Sequence, residues 1–320
     1  GRNKKSVELD LKSEEGLKLF KELVSVADVV VDNFSQGVTK RLGIDHQSLK
    51  KVNPKIITCS ISGFGDTEVN RPAYDNLIQG YAGAMSITGT DKDNPVKSGI
   101  PIADLGAGLY AVIGILSAIQ SREKSDSGEH VDISMLDTQV SLLTYMATMH
   151  FLSGENPEPI GNQHMNHVPF NSYKTSDGFI QIGVVAEDFW PSLIKALDLG
   201  QLDTEENKLR IGRLKNREII DEAVQEVFIT NTTEHWLKIL QEHRVPCGPI
   251  NTLSETFEDA DLLKRNMIVE VLQDSGASVK MPGNPVKISN HDEEFRRSPK
   301  LGEHTAEIFK NWLNKDISVD

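Results

Sequence analysis

One aspartate stands between an apolar run and a group of small residues. Residues 99–108 read GIPIADLGAG, and Asp104 is the carboxylate in this stretch. Three roles fit such a residue directly before a long apolar segment: helix N-cap, metal ligand or nucleophile. As a nucleophile it would be kept ionised by the helix dipole and by free amide groups. Gly106 and Gly108 would let a substrate approach it closely.

Basic, amide and aromatic side chains lie near the ends of the predicted strands. Lys4 and Lys5 stand at the start of the first strand, Asn33 and Phe34 follow the second, and Arg41 comes soon after. Cations at such loops can neutralise phosphate groups, and a phenylalanine ring can cover a purine. The same residues also fit a second interpretation, in which they are solubilising surface charges.

The apolar pattern predicts the elements that would position these groups. Residues 6–11 alternate as in a half-buried strand, Ser13 can cap a helix, and residues 27–34 and 55–62 contain short buried strands. This alternation of strand and helix indicates an α/β fold with a parallel sheet, which binds ligands at the carboxyl ends of its strands. A long apolar helix is predicted over residues 105–119.

A change in composition near residues 154–169 indicates a domain boundary, because Gly, Asn, Pro and His become frequent there. We predict a large α/β domain over residues 1–155 and a smaller α+β domain over residues 165–285. Residues 286–320 are expected to return to the large domain. A hairpin turning at residues 177–178 opens the smaller domain.

Composition excludes several classes of function. The chain has 320 residues and a net charge of −13, which disfavours binding to a nucleic-acid backbone. Cys59 and Cys247 form no CxxC pair, which fits a reducing cytoplasm. The pair His164 and His167 lacks a third metal ligand at a suitable spacing. No run of about 18 apolar residues is seen, so we expect a cytoplasmic protein without a membrane, nucleic-acid or metal partner.

Nine stretches of the sequence together resemble the class III coenzyme A transferases. This family includes formyl-CoA transferase, carnitine-CoA transferase and α-methylacyl-CoA racemase. The stretches are NKKSVELDLKSEEG (3–16), ADVVVDNFSQGVTKRLGI (27–44), NPKIITCSISGFG (53–65), RPAYDNLIQGYAG (71–83), IADLGAGLYAVIGILSAI (102–119), GEHVDISMLD (128–137), VPCGPINT (245–252), MPGNPVK (281–287) and LGEHTAEI (301–308). They follow the family order from end to end. The family normally carries a further strand–helix unit upstream, so the chain looks as if its N-terminal segment is missing.

The resemblance implies a fold, an activity and a mechanism. It implies a Rossmann-like large domain with a smaller domain, and two chains interlocked as a homodimer. The aspartate that matches Asp104 attacks an acyl-CoA to give a mixed anhydride, and the CoA thiolate then forms an aspartyl-CoA thioester. A small carboxylic acid finally takes the CoA, which is a co-substrate. Oxalate, succinate and glutarate are common acids in the family.

The resemblance also assigns site residues. Tyr74 matches an active-site tyrosine, and Asp104 matches the catalytic nucleophile. The positions that match residues of the CoA site are Asn3, Lys4, Lys5, Asn33, Phe34 and Arg41. The family's glycine-rich active-site loop corresponds to residues 159–173, which contain the single glycine Gly161.

Two alternative functions remain open. An acyl-CoA racemase or isomerase uses a histidine and an aspartate as two bases. The resemblance places that histidine at Ala103 and the aspartate at Asp132, so half of the pair is missing and a structural role for Asp132 is favoured. The other alternative is a non-catalytic CoA-binding protein, which the apparent lack of an N-terminal segment would explain.

Overall fold

The chain divides into two compact units along its sequence. The structure is a computed structural model that describes residues 1–69 and 71–317. The first unit is formed by residues 1–87, 95–157 and those from 267 onward, and the second by residues 88–94 and 158–266. The second unit thus interrupts the sequence of the first at two points. The domain ranges expected from the sequence stay a prediction.

The first unit begins with three strands and seven helices. In chain order they are α1 (Glu14–Val24), β1 (Val29–Asp32), α2 (Val38–Leu42), α3 (His46–Lys50), β2 (Ile57–Ser62), α4 (Asp75–Tyr81), α5 (Ile102–Ser125), β3 (His130–Ser134), α6 (Met135–Leu142) and α7 (Tyr145–Ser153). A short 3₁₀ helix spans Ala84–Ile87. The alternation of strands with helices matches the α/β class that the sequence predicts.

The three strands form one parallel sheet in the order β1, β2, β3. Val29 pairs with Ile57 at one end, and Asp32, Ser60 and Asp132 are aligned across the sheet at the other. Parallel strands need a crossover between them, which the intervening helices provide. The carboxyl ends of the strands therefore meet at a single edge.

The segment predicted as a first strand, residues 6–11, is not a strand. Its backbone bonds to the C-terminal part of the chain: the His304 N–H donates to the Ser6 carbonyl oxygen, and the Glu8 N–H donates to Thr305 Oγ1. Alternation of apolar and polar residues gives the preference for an extended backbone, but a strand also needs a neighbour to pair with. The helix that follows begins after Ser13, as predicted, and Ser13 Oγ accepts the Gly16 N–H.

The long helix α5 starts earlier and ends later than the sequence suggests. Its buried residues are small, and they are Ala103, Gly106, Ala107, Ala111 and Ala118. Five of its large apolar residues are each more than half exposed, and they are Leu105, Leu109, Val112, Ile113 and Leu116. We call this set the α5 apolar face.

By length and composition, α5 could cross a bilayer, although the core helix of a soluble protein passes the same test. This corrects the expectation that no segment is sufficiently apolar. Only 28% of the most apolar 18-residue stretch of α5 is buried within the described chain. The helix is therefore an apolar element that the first unit leaves largely uncovered.

The second unit contains a small antiparallel sheet and six helices. They are β4 (Phe170–Lys174), β5 (Phe179–Gly183), α8 (Phe189–Leu197), α9 (Arg210–Lys215), α10 (Arg217–Phe228), α11 (Thr233–Glu242), β6 (Cys247–Pro249), α12 (Leu253–Glu258) and α13 (Ala260–Lys264), with a 3₁₀ helix at Gly200–Leu202. Strands β4 and β5 form the hairpin predicted around residues 177–178. The core of the second unit is a continuous apolar cluster around Trp190, Phe228 and Trp236.

The C-terminal part of the first unit adds a hairpin and a helix. Strands β7 (Ile268–Leu272) and β8 (Ser278–Pro282) pair in antiparallel fashion, and α14 spans Thr305–Leu313. The sequence predicts this helix with the same bounds. Thr305 is the first residue of α14 and accepts a hydrogen bond from the Glu8 N–H. The start of α14 therefore lies beside the extended N-terminal segment.

Candidate active site

A cavity of about 690 Å³ lies in the first unit, where β1 and β2 end. Its wall is formed by the residues after these strands, by the segment before α4, and by the first turns of α5 and the start of α6. The lining residues are Asn33, Phe34, Ser35, Gln36, Ile61, Ser62, Gly63, Phe64, Gly65, Val69, Arg71, Pro72, Ala73, Tyr74, Asp104, Gly108 and Met135. Four residues predicted for the site, Asn33, Phe34, Tyr74 and Asp104, are brought together here.

Asp104 lies in the first turn of α5 and is exposed toward the cavity. The helix begins at Ile102, with Pro101 at the N-cap position, so the interpretation of Asp104 as the cap is wrong. Within residues 1–69 and 71–317, no group of three or more His, Cys, Asp or Glu side chains could hold a metal ion. An exposed carboxylate on a cavity wall is accessible to a substrate, and its role as a nucleophile stays a prediction.

The start of α5 is held by another aspartate. Asp75 Oδ1 accepts the Ala103 N–H at 2.8 Å and the Asp104 N–H at 3.4 Å. On its other side, Gln79 Nε2 donates to Asp75 Oδ2 at 2.6 Å, and Gln79 Oε1 accepts the Ser98 N–H at 2.8 Å. Gln79 is buried and has partners for both ends of its amide. This chain of hydrogen bonds fixes the backbone that carries Asp104.

Sequence reasoning missed Asp75 and Gln79. The available signal was their spacing of four residues in a segment that begins directly after Tyr74, which puts both side chains on one face of α4. Nothing in the sequence shows that this face meets the start of a helix 27 or more residues later.

The pKa of the Asp104 carboxyl is raised above its ordinary value. Desolvation is the largest cause, and the negative charge of Asp75 acts in the same direction. This direction is opposite to the lowering that the dipole and free amide groups of a helix start would give. Burial is the main cause, and Asp75 adds to it because it accepts the amide hydrogens of Ala103 and Asp104 and places its negative charge beside the Asp104 carboxyl.

The two glycines after Asp104 have different surroundings. A Cβ atom at Gly106 would lie 2.9 Å from Thr138 Cγ2 and 3.2 Å from Leu142 Cδ1, so this glycine allows α5 and α6 to pack closely. A Cβ atom at Gly108 would meet nothing within 4 Å, and Gly108 lines the cavity. Only Gly108 therefore leaves room for a substrate.

Aromatic side chains and an arginine form another part of the cavity wall. Tyr74, at the N-cap of α4, is 69% exposed. The guanidinium carbon of Arg71 lies 4.6 Å from the centre of the Phe64 ring and 4.3 Å from that of the Tyr81 ring. Sequence reasoning missed Arg71, since an arginine in a loop before a proline carries no distinctive pattern.

The predicted CoA-site residues fall into two groups. Asn33 donates from Nδ2 to the Ile61 carbonyl oxygen at 2.6 Å, which ties the loop after β1 to the end of β2. Phe34 beside it is 44% exposed and lines the cavity. Arg41 lies one turn further on in α2, and it is exposed and outside the cavity wall.

The second group, Asn3, Lys4 and Lys5, is not part of the cavity wall. Asn3 Nδ2 donates to the Glu294 carbonyl oxygen at 2.7 Å, and Lys5 forms an ion pair with Glu307. These contacts place the start of the chain against its C-terminal part. Their assignment to CoA stays a prediction.

The two positions considered for a racemase do not supply two catalytic bases. Ala103 is fully buried and has only a methyl group. Asp132 Oδ2 accepts the Asp66 N–H at 2.9 Å, which holds the loop after β2. This contact agrees with a structural role for Asp132.

Several known proteins are similar to this chain in amino-acid sequence and in fold. The family model described as "CoA-transferase family III" matches residues 1–305. Human succinyl-CoA:glutarate CoA-transferase is 32% identical over 319 residues, which are 98% of this chain and 73% of the human protein. Succinate–glutarate CoA-transferase of Agrobacterium fabrum is 34% identical over 96% of this chain and 78% of its own length. The crystal structure of a CAIB/BAIF family protein from Brucella suis superposes with a TM-score of 0.85 at 35% identity, covering 97% of this chain and 82% of that one.

The chain therefore belongs to CoA-transferase family III. The resemblance seen in the sequence is confirmed, and the parallel α/β sheet agrees with the fold of the structural relative. The protein is an enzyme of CoA transfer, a class that uses CoA thioesters as co-substrates.

Proposed function

We propose that this enzyme moves CoA from an acyl-CoA donor to a carboxylic acid acceptor, with Asp104 as the covalent nucleophile. The observation that carries the proposal is the placement of Asp104. It is the one carboxylate among the described residues of the cavity wall, and it faces open space beside Gly108. A carboxylate at this place can reach a bulky thioester without a change in the fold.

The reaction proceeds by four exchanges at carbonyl carbon. An Asp104 oxygen attacks the thioester carbonyl, and the CoA thiolate leaves as a mixed anhydride forms. The thiolate attacks Cγ of Asp104, which releases the donor acid and forms an aspartyl-CoA thioester. The acceptor carboxylate then attacks this Cγ and expels the thiolate, which finally attacks the acceptor carbonyl and frees Asp104. No net proton transfer is needed, because carboxylates and thiolates exchange with one another.

The substrate class we propose is dicarboxylic. The human and Agrobacterium relatives are named for succinate and glutarate. The match to this chain spans 73% of the human protein and 78% of the Agrobacterium protein. A donor such as succinyl-CoA would carry one free carboxylate into the cavity together with its thioester.

We propose that the CoA moiety lies along the strand ends. Phe34 and Asn33 on the cavity wall suit an adenine or pantetheine group, and Arg41 stands where a phosphate could be reached. Lys4 and Lys5 are also proposed to contact CoA, for which Lys5 would exchange its ion pair with Glu307 for a phosphate. The net charge of −13 makes such a local group of cations the means of holding an anionic co-substrate.

We also propose that two chains form an interlocked homodimer. The α5 apolar face supports this, because a monomer would leave a contiguous row of leucine, isoleucine and valine side chains in water. Leu105 and Leu109 on this face are direct neighbours of Asp104 and Gly108 in sequence. A second chain packed on α5 would thus lie next to the candidate active site.

Isotope-labelled turnover tests the proposal. With succinyl-CoA and glutarate, we expect glutaryl-CoA and free succinate to appear in equal amounts, with no hydrolysis of the thioester. In D₂O with a 2-methylacyl-CoA, no deuterium should enter at the α-carbon. Deuterium incorporation without transfer would instead favour the racemase alternative, and binding of CoA without either reaction would favour a non-catalytic protein.

A further inference from the structure

Arg71 is a cation on the cavity wall that has no acidic partner among residues 1–69 and 71–317. Its guanidinium lies over Phe64 and Tyr81, whose rings meet edge to face at 5.7 Å. These two rings fix the position of the group through cation–π contacts. It is the one lysine or arginine among the described residues that line the cavity.

The hydrogen-bonding capacity of Arg71 is unused. A guanidinium carries five N–H donors in a rigid fork. Within residues 1–69 and 71–317, Arg71 forms neither a hydrogen bond nor an ion pair. The contacts with Phe64 and Tyr81 are cation–π contacts, which do not use the N–H donors as hydrogen bonds to an acceptor atom. An ordered arginine with free donors is suited to bind a planar carboxylate through two parallel hydrogen bonds.

We propose that Arg71 binds the free carboxylate of a dicarboxylic acyl group while the thioester end lies at Asp104. This assignment rests on the proposed function and names the residue that would select its substrate class. Arg71 precedes Asp75 by four residues, which limits the separation of their Cα atoms to about 14 Å. Asp75 in turn contacts the Asp104 amide at 3.4 Å. A four- or five-carbon diacid, together with an arginine side chain, can span such a distance.

The position of Arg71 separates it from the proposed phosphate contacts. Arg41 and Lys4 belong to the strand-end and N-terminal parts of the unit, whereas Arg71 belongs to the segment that leads into α4. Arg71 lies over Phe64, and it precedes Tyr74 and Asp75 by three and four residues. Because Asp75 contacts the backbone that carries Asp104, we assign this part of the wall to the acyl group.

The test compares two donors of equal chain length. Succinyl-CoA ends in a carboxylate, and butyryl-CoA ends in a methyl group. In Arg71→Gln, we expect kcat/KM for succinyl-CoA to fall about 10- to 100-fold, since a charge-assisted hydrogen-bonding pair is lost. For butyryl-CoA the value should change less than about 3-fold. Arg71→Lys keeps the charge without the fork and should give an intermediate loss with succinyl-CoA.

Two controls accompany these variants. Lys12→Gln removes an exposed cation outside the cavity wall and should leave both donors unchanged. The melting temperatures of Arg71→Gln and Arg71→Lys show whether the stacking on Phe64 and Tyr81 is needed for folding. If Arg71→Gln is unstable, the comparison of donors is made with Arg71→Lys.

The outcomes are distinct. An equal loss with both donors would overturn the assignment, because Arg71 would then act on the CoA moiety common to them. Unchanged values with both donors would overturn it as well. If the unaltered enzyme transferred CoA from neither donor, the proposed function would fail, and the assignment that rests on it would fall with it.

Discussion

The two units of the chain bury their apolar residues in contrasting ways. The second unit surrounds Trp190 and Phe228 with one continuous cluster of buried side chains. The first unit has two small clusters, one around Ile78 and Ala103 and one around Leu49, and exposes the α5 apolar face. The second unit is thus stabilised by its own core, whereas the first uses part of its apolar surface for a cavity and an uncovered helix. The cavity that contains the candidate active site is in this less completely packed first unit.

Removal of the nucleophile should have the largest effect. Asp104→Asn keeps the size and the polarity of the side chain but cannot form the anhydride, and we expect transfer to fall by about 10³-fold or more. The melting temperature should not fall, because the side chain is exposed and makes no contact that the core needs. Steady-state rates with a CoA donor and a carboxylate acceptor measure the loss.

Asp137→Asn is the matched control for this variant. Asp137 also lies in the first turn of a helix of the same unit, but outside the cavity wall. A comparable loss of activity in this control would mean that first-turn charge, and not nucleophilic chemistry, explains the result.

Truncation in the core of the second unit should affect stability and not the site. Phe228 is fully buried and packs against Tyr173 and Trp236, with ring centres 5.5 Å apart in each case. Phe228→Ala should lower the free energy of unfolding by about 3–5 kcal/mol. Leu209→Ala, at a residue 64% exposed in the same unit, should change it by less than about 0.5 kcal/mol. Urea unfolding monitored by fluorescence compares the two, and equal losses would contradict the assigned core.

A charge on the α5 apolar face should weaken self-association. Leu109→Glu puts a carboxylate into the proposed dimer contact and should raise the dissociation constant by about 30-fold or more, because the charge would have to be desolvated. Val26→Glu, at another exposed apolar residue, should have no such effect. Light scattering during size-exclusion chromatography measures the mass. A dimer unaffected by Leu109→Glu would show that α5 is not the contact.

The pH dependence of transfer should reveal the neighbour of the nucleophile. Asp104 must be ionised to attack, and its pKa is raised by desolvation and by Asp75. Activity should therefore decline on the acid side at a higher pH than an ordinary aspartate would give. Asp75→Asn keeps an oxygen acceptor for the start of α5 but removes the charge, so the acid limb should move to lower pH. A shift to higher pH, or none, would contradict the electrostatic role of Asp75.

The smallest effects distinguish the two glycines of α5. Gly106→Ala places a methyl group against Thr138 and should destabilise the fold by about 1 kcal/mol, after the gain in helix propensity is subtracted. Gly108→Ala meets open space and should stabilise it by about 0.5–1 kcal/mol. Thermal unfolding of the two variants measures the difference. The opposite order would contradict the close packing of α5 on α6 at Gly106.

Local patterns in the sequence were sufficient for many of the elements. Helix α14 has the predicted bounds, and the hairpin turns where Asp177 and Gly178 predict it. Apolar runs bounded by polar residues also located β1 and β2. These features depend on residues close together in the chain, which is why periodicity and turn chemistry find them.

Features that depend on distant residues were not predictable in the same way. Residues 6–11 have the alternation of a strand, but their hydrogen-bonding partners come from around Thr305. The sequence predicts that α5 starts at residue 105, whereas it starts at Ile102. The Ala103 amide at this end donates to Asp75, a residue distant in sequence. Arg71 became a candidate only when the fold brought Phe64 and Tyr81 to it.

The central claim, that Asp104 carries the transferred group, is tested most directly by the intact mass of the protein after brief incubation with succinyl-CoA. We expect an added mass equal to that of CoA or of the acyl group, sensitive to hydroxylamine and located by peptide mapping at Asp104. It should be absent in Asp104→Asn. Transfer that proceeds without any adduct, or an adduct located at another residue, would contradict the claim.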